Sequence, residues 1–392
     1  MNQMTEKLSR KQLFTVLKIA ERCNLKCPYC YFFFNGDDSY KTDPKVIPME
    51  VVQSTARFLY EGAIELQLDR VDISLHGGEP LMVGKSKFKK ICETLHLPFK
   101  NSNGPQLRIN MQTNGVLIDE EWVEIITQYN VAVGVSVDGP KHIHDLTRIN
   151  FRNQGTYDQT LRGIRLLQRR MDLGALVVIP PNESGREIFE HVVDDLGIKT
   201  IDFLFPLQNW DAHNPEQVQK VTAFYREVFL AWTQRNDPTI QVRTLSDRLR
   251  ALVSDAGMAV RTIGLKDNCD SITIRSNGDL CPDDTLHSLR DEYRNTGFNV
   301  KTATLKDFMA IPMWEDLRIA MLEPIGECGT CKWWGVCRGG HAENRYSKDQ
   351  GFRRGSTYCE TYKTVHEMTF DYLSGAIPVE QLEDRLLRSS LA

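Results

Sequence analysis

The sequence predicts an α/β protein, a six-stranded partial (β/α)6 barrel followed by a smaller cysteine-rich domain. Three observations carry that expectation. Strand-like and helix-like segments alternate strictly from residue 13 to about 206, the pattern of parallel strands with helices outside. The loops of unusual composition all follow strand ends, the rim on which such barrels place their chemistry. The ten cysteines are unevenly spread, with three between residues 23 and 30, one at 92 and six from 269 to 359.

LFTVLKIA is the first strand, a short apolar run flowing directly into a cysteine-bearing loop. PMEVVQSTARFLYEGAIE then has helical spacing, with Val51, Val52, Ala56, Leu59, Tyr60 and Ala63 on one side. RVDISLH, LRINMQT, VAVGVSV, ALVVIP and TIDFLF supply five further strands. KSKFKKICETL, DEEWVEIITQY, TYDQTLRGIRLLQRR and GREIFEHVVDDLG are the helices between them. Cys92 falls on the apolar side of its helix and reads as structural. PEQVQKVTAFYREVFLAWTQR and TLSDRLRALVSDAG continue as amphipathic connectors. The expected division is a barrel over 1–210, a helical connector over 211–268, and a cysteine domain with a C-terminal helix over 269–392.

With 41% hydrophobic and 26% charged residues and a net charge of -4, the chain has the composition of an ordinary soluble protein and not of a nucleic-acid binder. Its longest apolar runs have strand length, so no membrane span is expected. The first 20 residues hold Lys7, Arg10, Lys11 and Lys18 and no apolar core followed by small residues, so no secretory signal is expected either. The expected location is cytoplasmic. Thiols there stay reduced, and so many of them argue for metal sites over disulfides.

Four loops open on one rim. Strand 1 leads to Cys23, Cys27 and Cys30; strand 2 to His76, Gly77, Gly78, Glu79 and Pro80; strand 3 to Asn114 and Gly115; and strand 4 to Ser136, Asp138 and Gly139. Three thiolates are one short of an iron-sulfur cube and leave one iron open, as a catalytic zinc keeps a free position. The spacing C-x3-C-x2-C, with Tyr29 just before the last cysteine, resembles the radical S-adenosylmethionine (SAM) superfamily. That resemblance implies a TIM-like partial barrel and a [4Fe-4S] cluster on the three cysteines, with SAM chelated at the open iron. It implies a deoxyadenosyl radical that takes a hydrogen atom from substrate, and an external electron donor of the flavodoxin or ferredoxin type. It also places Tyr29, Gly77, Gly78 and Glu79 around the cluster and the amino group of SAM. Asn114, Ser136 and Asp138 fall near its ribose or carboxylate, and Arg148 near the carboxylate.

Further on, CGTCKWWGVCRGGH is a C-x2-C-x5-C-x3-H array followed by Cys359. On its own it could hold zinc. Beside the barrel it resembles the SPASM domain, which implies one or two auxiliary clusters: one on Cys328, Cys331, Cys337 and Cys359, and another on Cys269, Cys281 and His341, which stands in place of the family's cysteine. Alternatively His341 only supports that second site, which is then completed by another residue or missing. SPASM proteins modify ribosomally made peptides. CYFFFNGDDSY and CRGGHAENRY resemble maturases that join an aromatic ring to a β-carbon as a three-residue cyclophane, so a precursor peptide is the expected partner. The alternatives are oxidation of Ser or Cys to formylglycine, as in anaerobic sulfatase maturases, and a non-catalytic iron-sulfur or zinc regulator. Asp283 and Asp284, just after Cys281, are the expected general bases. Only 22 residues precede Cys23, so peptide recognition is expected on the barrel and SPASM surfaces.

Overall fold

The structure is a computed structural model that describes residues 12–34, 36–100, 103–254 and 271–391. It divides into two compact units, one from Arg10–Leu176 with Asp270–Ile311 and the other from Val177–Cys269 with Pro312–Ala392. The barrel and cysteine-domain boundaries expected from sequence are not the ones observed, because residues after 270 return to the first unit.

The first unit is a parallel sheet. Its strands are β1 (Gln12–Ala20), β2 (Arg70–Gly77), β3 (Gln106–Thr113), β4 (Ala132–Ser136) and the start of β5 (Gly174–Val178), each paired to the next in chain order. Between them run α1 (Met49–Glu65), α2 (Lys85–His96), α3 (Glu120–Gln128), α4 (Lys141–Thr147) and α5 (Tyr157–Gln168). Helices on a parallel sheet bury its strands, which is why β1 reads as a near-continuous apolar run with Leu17 and Ile19 fully buried. Helix α1 turns Val51, Val52, Ala56, Leu59 and Ala63 inward as its spacing predicts, while Tyr60 is only half-buried, edge-on to Phe99 at 5.2 Å. Asp119 caps α3 by accepting from the Trp122 N–H at 2.9 Å, and Cys92 is fully buried on α2.

On the other side of β1 lies β8 (Ile272–Ile274), parallel to it, and then β9 (Leu280–Pro282), antiparallel to β8. Sequence reading missed both, since three-residue strands leave no legible period. Gly278 makes their turn with a φ of +95°.

The second unit contains β6 (Thr200–Leu204) paired in parallel with β7 (Gln241–Val242), and the helices α6 (Gly185–Glu190), α7 (Pro215–Arg235) and α8 (Arg243–Val253). After residue 312 come α9 (Pro312–Leu322), α10 (Trp334–Cys337), α11 (Cys359–Ser374) and α12 (Val379–Leu391). Ala251, Leu252, Trp333, Val336, Leu373, Leu382 and Leu386 form one buried apolar cluster, joining α8, α10, α11 and α12. Tyr225 on α7 donates to the Phe203 carbonyl at 2.8 Å, and Thr222 is hydrogen-bonded to Thr361 on α11 at 2.7 Å. No helix among the described residues is long and apolar enough to cross a membrane.

Candidate active site

All four predicted rim loops of the first unit lie at the C-terminal ends of β1 to β4. The cysteine loop folds by local hydrogen bonds: the Leu25 N–H donates to Cys23 Sγ at 3.3 Å, the Cys30 N–H to the Cys27 carbonyl at 3.0 Å and the Phe34 N–H to the Cys30 carbonyl at 2.9 Å. The three thiols are unbridged. Burial pushes Cys23 up to about 12 and Cys27 to about 11, so thiolates here need a compensating cation. A metal cluster supplies one, and the donor set fits it.

Glu79 is buried and ties β2 to β3. Its carboxylate accepts from the Thr113 hydroxyl at 2.8 Å, the Asn114 N–H at 2.8 Å and the Leu81 N–H at 3.1 Å. Burial nevertheless raises it to about 7, and the three donors limit the rise. Asn114 in turn donates to Asn24 at 2.8 Å and lies 3.9 Å from Cys23 Sγ, so the strand-3 loop is bonded to the cysteine loop. Gly77 presses against the end of β1 and Gly78 against the loop that follows it. A Cβ on Gly77, whose φ is +132°, would stand 2.0 Å from the Ala20 carbonyl oxygen, and one on Gly78 would stand 2.4 Å from that of Arg22. Only glycine lets the backbone approach this closely.

Strand 4 ends in a buried ion pair. Arg148, the residue capping α4, gives Asp138 two hydrogen bonds of 2.8 and 3.1 Å, and the Tyr29 hydroxyl donates to the same carboxylate. The predicted residues Tyr29, Asp138 and Arg148 therefore form one network beside Cys27. Ser136 accepts from Gln112 at 2.8 Å.

The acids after β9 occupy different environments. Burial and the neighbouring Asp284 raise Asp283, whose carboxylate accepts from the Thr285 hydroxyl at 2.7 Å. Burial would also raise Asp284, yet Lys18 and then His76, His287 and Tyr31 outweigh it and hold the carboxyl below its ordinary value. Lys18 Nζ lies 3.5 Å from Asp284, and the Tyr31 hydroxyl donates to Asp284 at 2.9 Å. Sequence reading missed Lys18, Asp37 and His287 in this group. A lysine inside an apolar parallel strand was the available signal.

In the second unit Cys328, Cys331, Cys337 and Cys359 line one small cleft with Trp333, Tyr362, Lys363 and His366. The thiols surround a volume; among the described residues no three Cys, His, Asp or Glu side chains converge on one ion's position. Gly340 makes the turn after Cys337 with a φ of +78°, and a Cβ there would meet the Tyr362 ring at 2.5 Å. The other expected cluster is not assembled within a unit. Cys281 lies in the first, exposed His341 in the second, and Cys269 outside the described residues.

Residues 17–194 match the family model described as the radical SAM superfamily. Over 363 residues the chain is 25% identical to a cysteine-type anaerobic sulfatase-maturating enzyme of Clostridium perfringens (strain 13 / Type A), covering 90% of this chain and 94% of that one. Over 172 residues it is 34% identical to a serine-type anaerobic sulfatase-maturating enzyme of Bacteroides thetaiotaomicron, covering 43% and 40% of the two chains. Among solved structures it resembles native anSMEcpe with bound AdoMet and Cp18Cys peptide, with a TM-score of 0.76, 24% identity and coverage of 93% and 98%. It also resembles Streptococcus suis SuiB bound to precursor peptide SuiA, with a TM-score of 0.59, 16% identity and coverage of 90% and 77%. These likenesses show the expected fold.

Proposed function

We propose that the chain, an enzyme whose residues 17–194 match the radical SAM superfamily, oxidises a side chain of a peptide or protein substrate by removing two hydrogens. The observation that carries this reading is the match along nearly the whole length of cysteine-type anaerobic sulfatase-maturating enzymes, 90% of this chain and 94% of that one. It favours oxidation of a Cys or Ser side chain to an aldehyde over the cyclophane expected from the CYFFF stretch. A non-catalytic regulator is set aside.

Cys23, Cys27 and Cys30 would hold a [4Fe-4S] cluster, which together with SAM would supply the hydrogen-atom-abstracting chemistry. The chain's own residues do the rest. Gly77 and Gly78 expose backbone at the rim, and Glu79 holds the β2 and β3 loops in register around it. Asn114 and Ser136 present polar groups to a ribose or carboxylate, and Arg148, fixed by Asp138, presents a guanidinium to a carboxylate. Cys328, Cys331, Cys337 and Cys359 would hold an auxiliary cluster, and a flavodoxin or ferredoxin would supply electrons. Two-hydrogen oxidation releases one hydrogen atom, one proton and one electron, the electron going to a one-electron acceptor of the iron-sulfur class. The proton goes to Asp284, a carboxylate kept ionised by Lys18 and oriented by Tyr31.

A second reading, a bond between an aromatic ring and a β-carbon, rests on the CYFFFNGDDSY extension and on His341 in place of a cysteine. With a Ser substrate both readings lose two hydrogens and mass alone does not separate them. With Cys the thioaldehyde first formed takes up water and releases hydrogen sulfide, so sulfur is exchanged for oxygen and mass separates the two as well. Incubation with a Cys-containing sulfatase-type peptide should give a product that hydrazine reagents label. An unlabelled product whose three-residue segment no longer fragments internally would establish the cyclophane instead. Replacing Cys23, Cys27 and Cys30 together by Ala should abolish 5'-deoxyadenosine formation; persistence of that product would sink both readings.

A further inference from the structure

Behind Asp284 the first unit buries a second acid-base pair that the proposed reaction leaves unused. His287 Nδ1 lies 3.2 Å from Asp37 Oδ2, and both side chains are almost fully buried. Burial would raise Asp37, but His287, Ser39 and Lys18 override it and keep the carboxyl well below its ordinary range. An ionised carboxylate only accepts, so Nδ1 carries the hydrogen and Nε2 keeps its lone pair. Nε2 is buried and has no hydrogen-bond partner among the described residues.

Asp284 and His287 sit at the ends of one 3-10 turn, closed by the His287 N–H donating to the Asp284 carbonyl at 3.3 Å. Side chains three apart on such a turn lie on the same face. Lys18 joins the pair electrostatically, with its Nζ 3.5 Å from Asp284, 4.0 Å from Asp37 and 4.1 Å from the centre of the Phe32 ring. The charged and titratable groups that face it include Lys18, Asp37, Asp283, Asp284, Tyr31, His76 and His287, with Glu21, Cys30, Asp43 and Cys281 acting on Lys18 or Asp37. With His287 neutral, Asp37 and Asp284 leave one more negative charge than Lys18 balances, so one added proton neutralises the three.

We propose that His287, backed by Asp37, is the resting place of the proton that Asp284 takes from substrate, and that Lys18 is the positioning residue that makes Asp284 give it up. The inference rests on the reading of Asp284 as the proton acceptor. Asp284 accepts the substrate proton and becomes a carboxylic acid. Because Nε2 has no hydrogen-bond partner among the described residues, the proton passes to it from Asp284 through one bridging water, leaving an imidazolium paired with Asp37 and Asp284 again a carboxylate. Lys18 biases the transfer, because a carboxyl beside a buried ammonium holds a proton weakly. No electron moves in this step.

The first test needs no cofactor. In the metal-free protein labelled with 13C and 15N, the His287 ring signals, assigned in the wild type by through-bond correlation to the His287 backbone, should show the neutral tautomer protonated on Nδ1. Lys18→Met should let His287 take up a proton at higher pH than in the wild type, since the ammonium opposes the imidazolium. An Nε2-protonated tautomer in the wild type would overturn the proposal even if every variant failed to fold.

The second test counts product per 5'-deoxyadenosine with the Cys-containing peptide. His287→Gln and Asp37→Asn should each lower that ratio by roughly a hundredfold, the low end of what a positioned proton-transfer group contributes, while 5'-deoxyadenosine still forms. If Asp284→Asn leaves the ratio unchanged, the reading of Asp284 fails and the relay with it. If Asp284→Asn lowers it and His287→Gln does not, the relay alone is wrong.

Discussion

Arg148 and Asp138 show what a single residue contributes here. A bidentate pair this deeply buried neutralises two charges that could not be buried separately. Asp138→Asn should therefore cost roughly 3 kcal/mol of unfolding free energy, read from urea midpoints, because it strands the guanidinium. Asp138→Leu with Arg148→Met should cost less than the single change. Glu79 predicts a pH effect. Its folded value of about 7 lies above the ordinary carboxyl value of 4.5, so the folded state binds the proton more tightly across that window and its stability falls as pH rises through it. Glu79→Gln should remove that pH dependence, and equal unfolding free energies from urea titrations of the wild type at pH 5 and 7.5 would place Glu79 in contact with water. The rim residues themselves were legible because loop chemistry is written locally: a C-x3-C-x2-C or a GGE is visible in one line of sequence. The partners of those residues were not. Asp37 and His287 are separated by about 250 positions, and nothing in either neighbourhood names the other.

At the scale of elements, strands β1 to β6 fall where the apolar runs and alternations place them: β1 is buried along nearly all its length, while β2 and β3 alternate buried and less buried positions. What the pattern could not convey was β8 and β9, too short to show a period, or that a lysine in β1 points at buried acids. The close approach of β1 and β2 is the element contact on which the rim depends. Gly77→Ala should push the end of β2 away from the Ala20 carbonyl, destabilising the protein by more than about 2 kcal/mol and weakening SAM binding while the iron of the second unit is retained. Isothermal titration with SAM, with iron counted in the same samples, checks it. Unchanged affinity would mean that the backbone at Gly77 has room the structure does not show.

On the scale of the whole molecule, the two groups of thiols lie in different units, so their metal content should be separable. Replacing Cys328, Cys331, Cys337 and Cys359 by Ala should remove iron from anaerobically reconstituted protein without abolishing SAM cleavage; loss of both together would show that the units do not load independently. The pairing of β1 with β8 has a further consequence, for the order of events during synthesis. Thr15 lies beside Ile272, so one edge of β1 stays unpaired until some 250 further residues have left the ribosome. The nascent chain thus carries an open, apolar strand edge through most of its translation, a template for pairing with other chains. Chains that stop near residue 210, where the sequence would place the end of a finished barrel, should collect in the insoluble fraction, and a separately supplied segment spanning residues 270–311 should recover part of them.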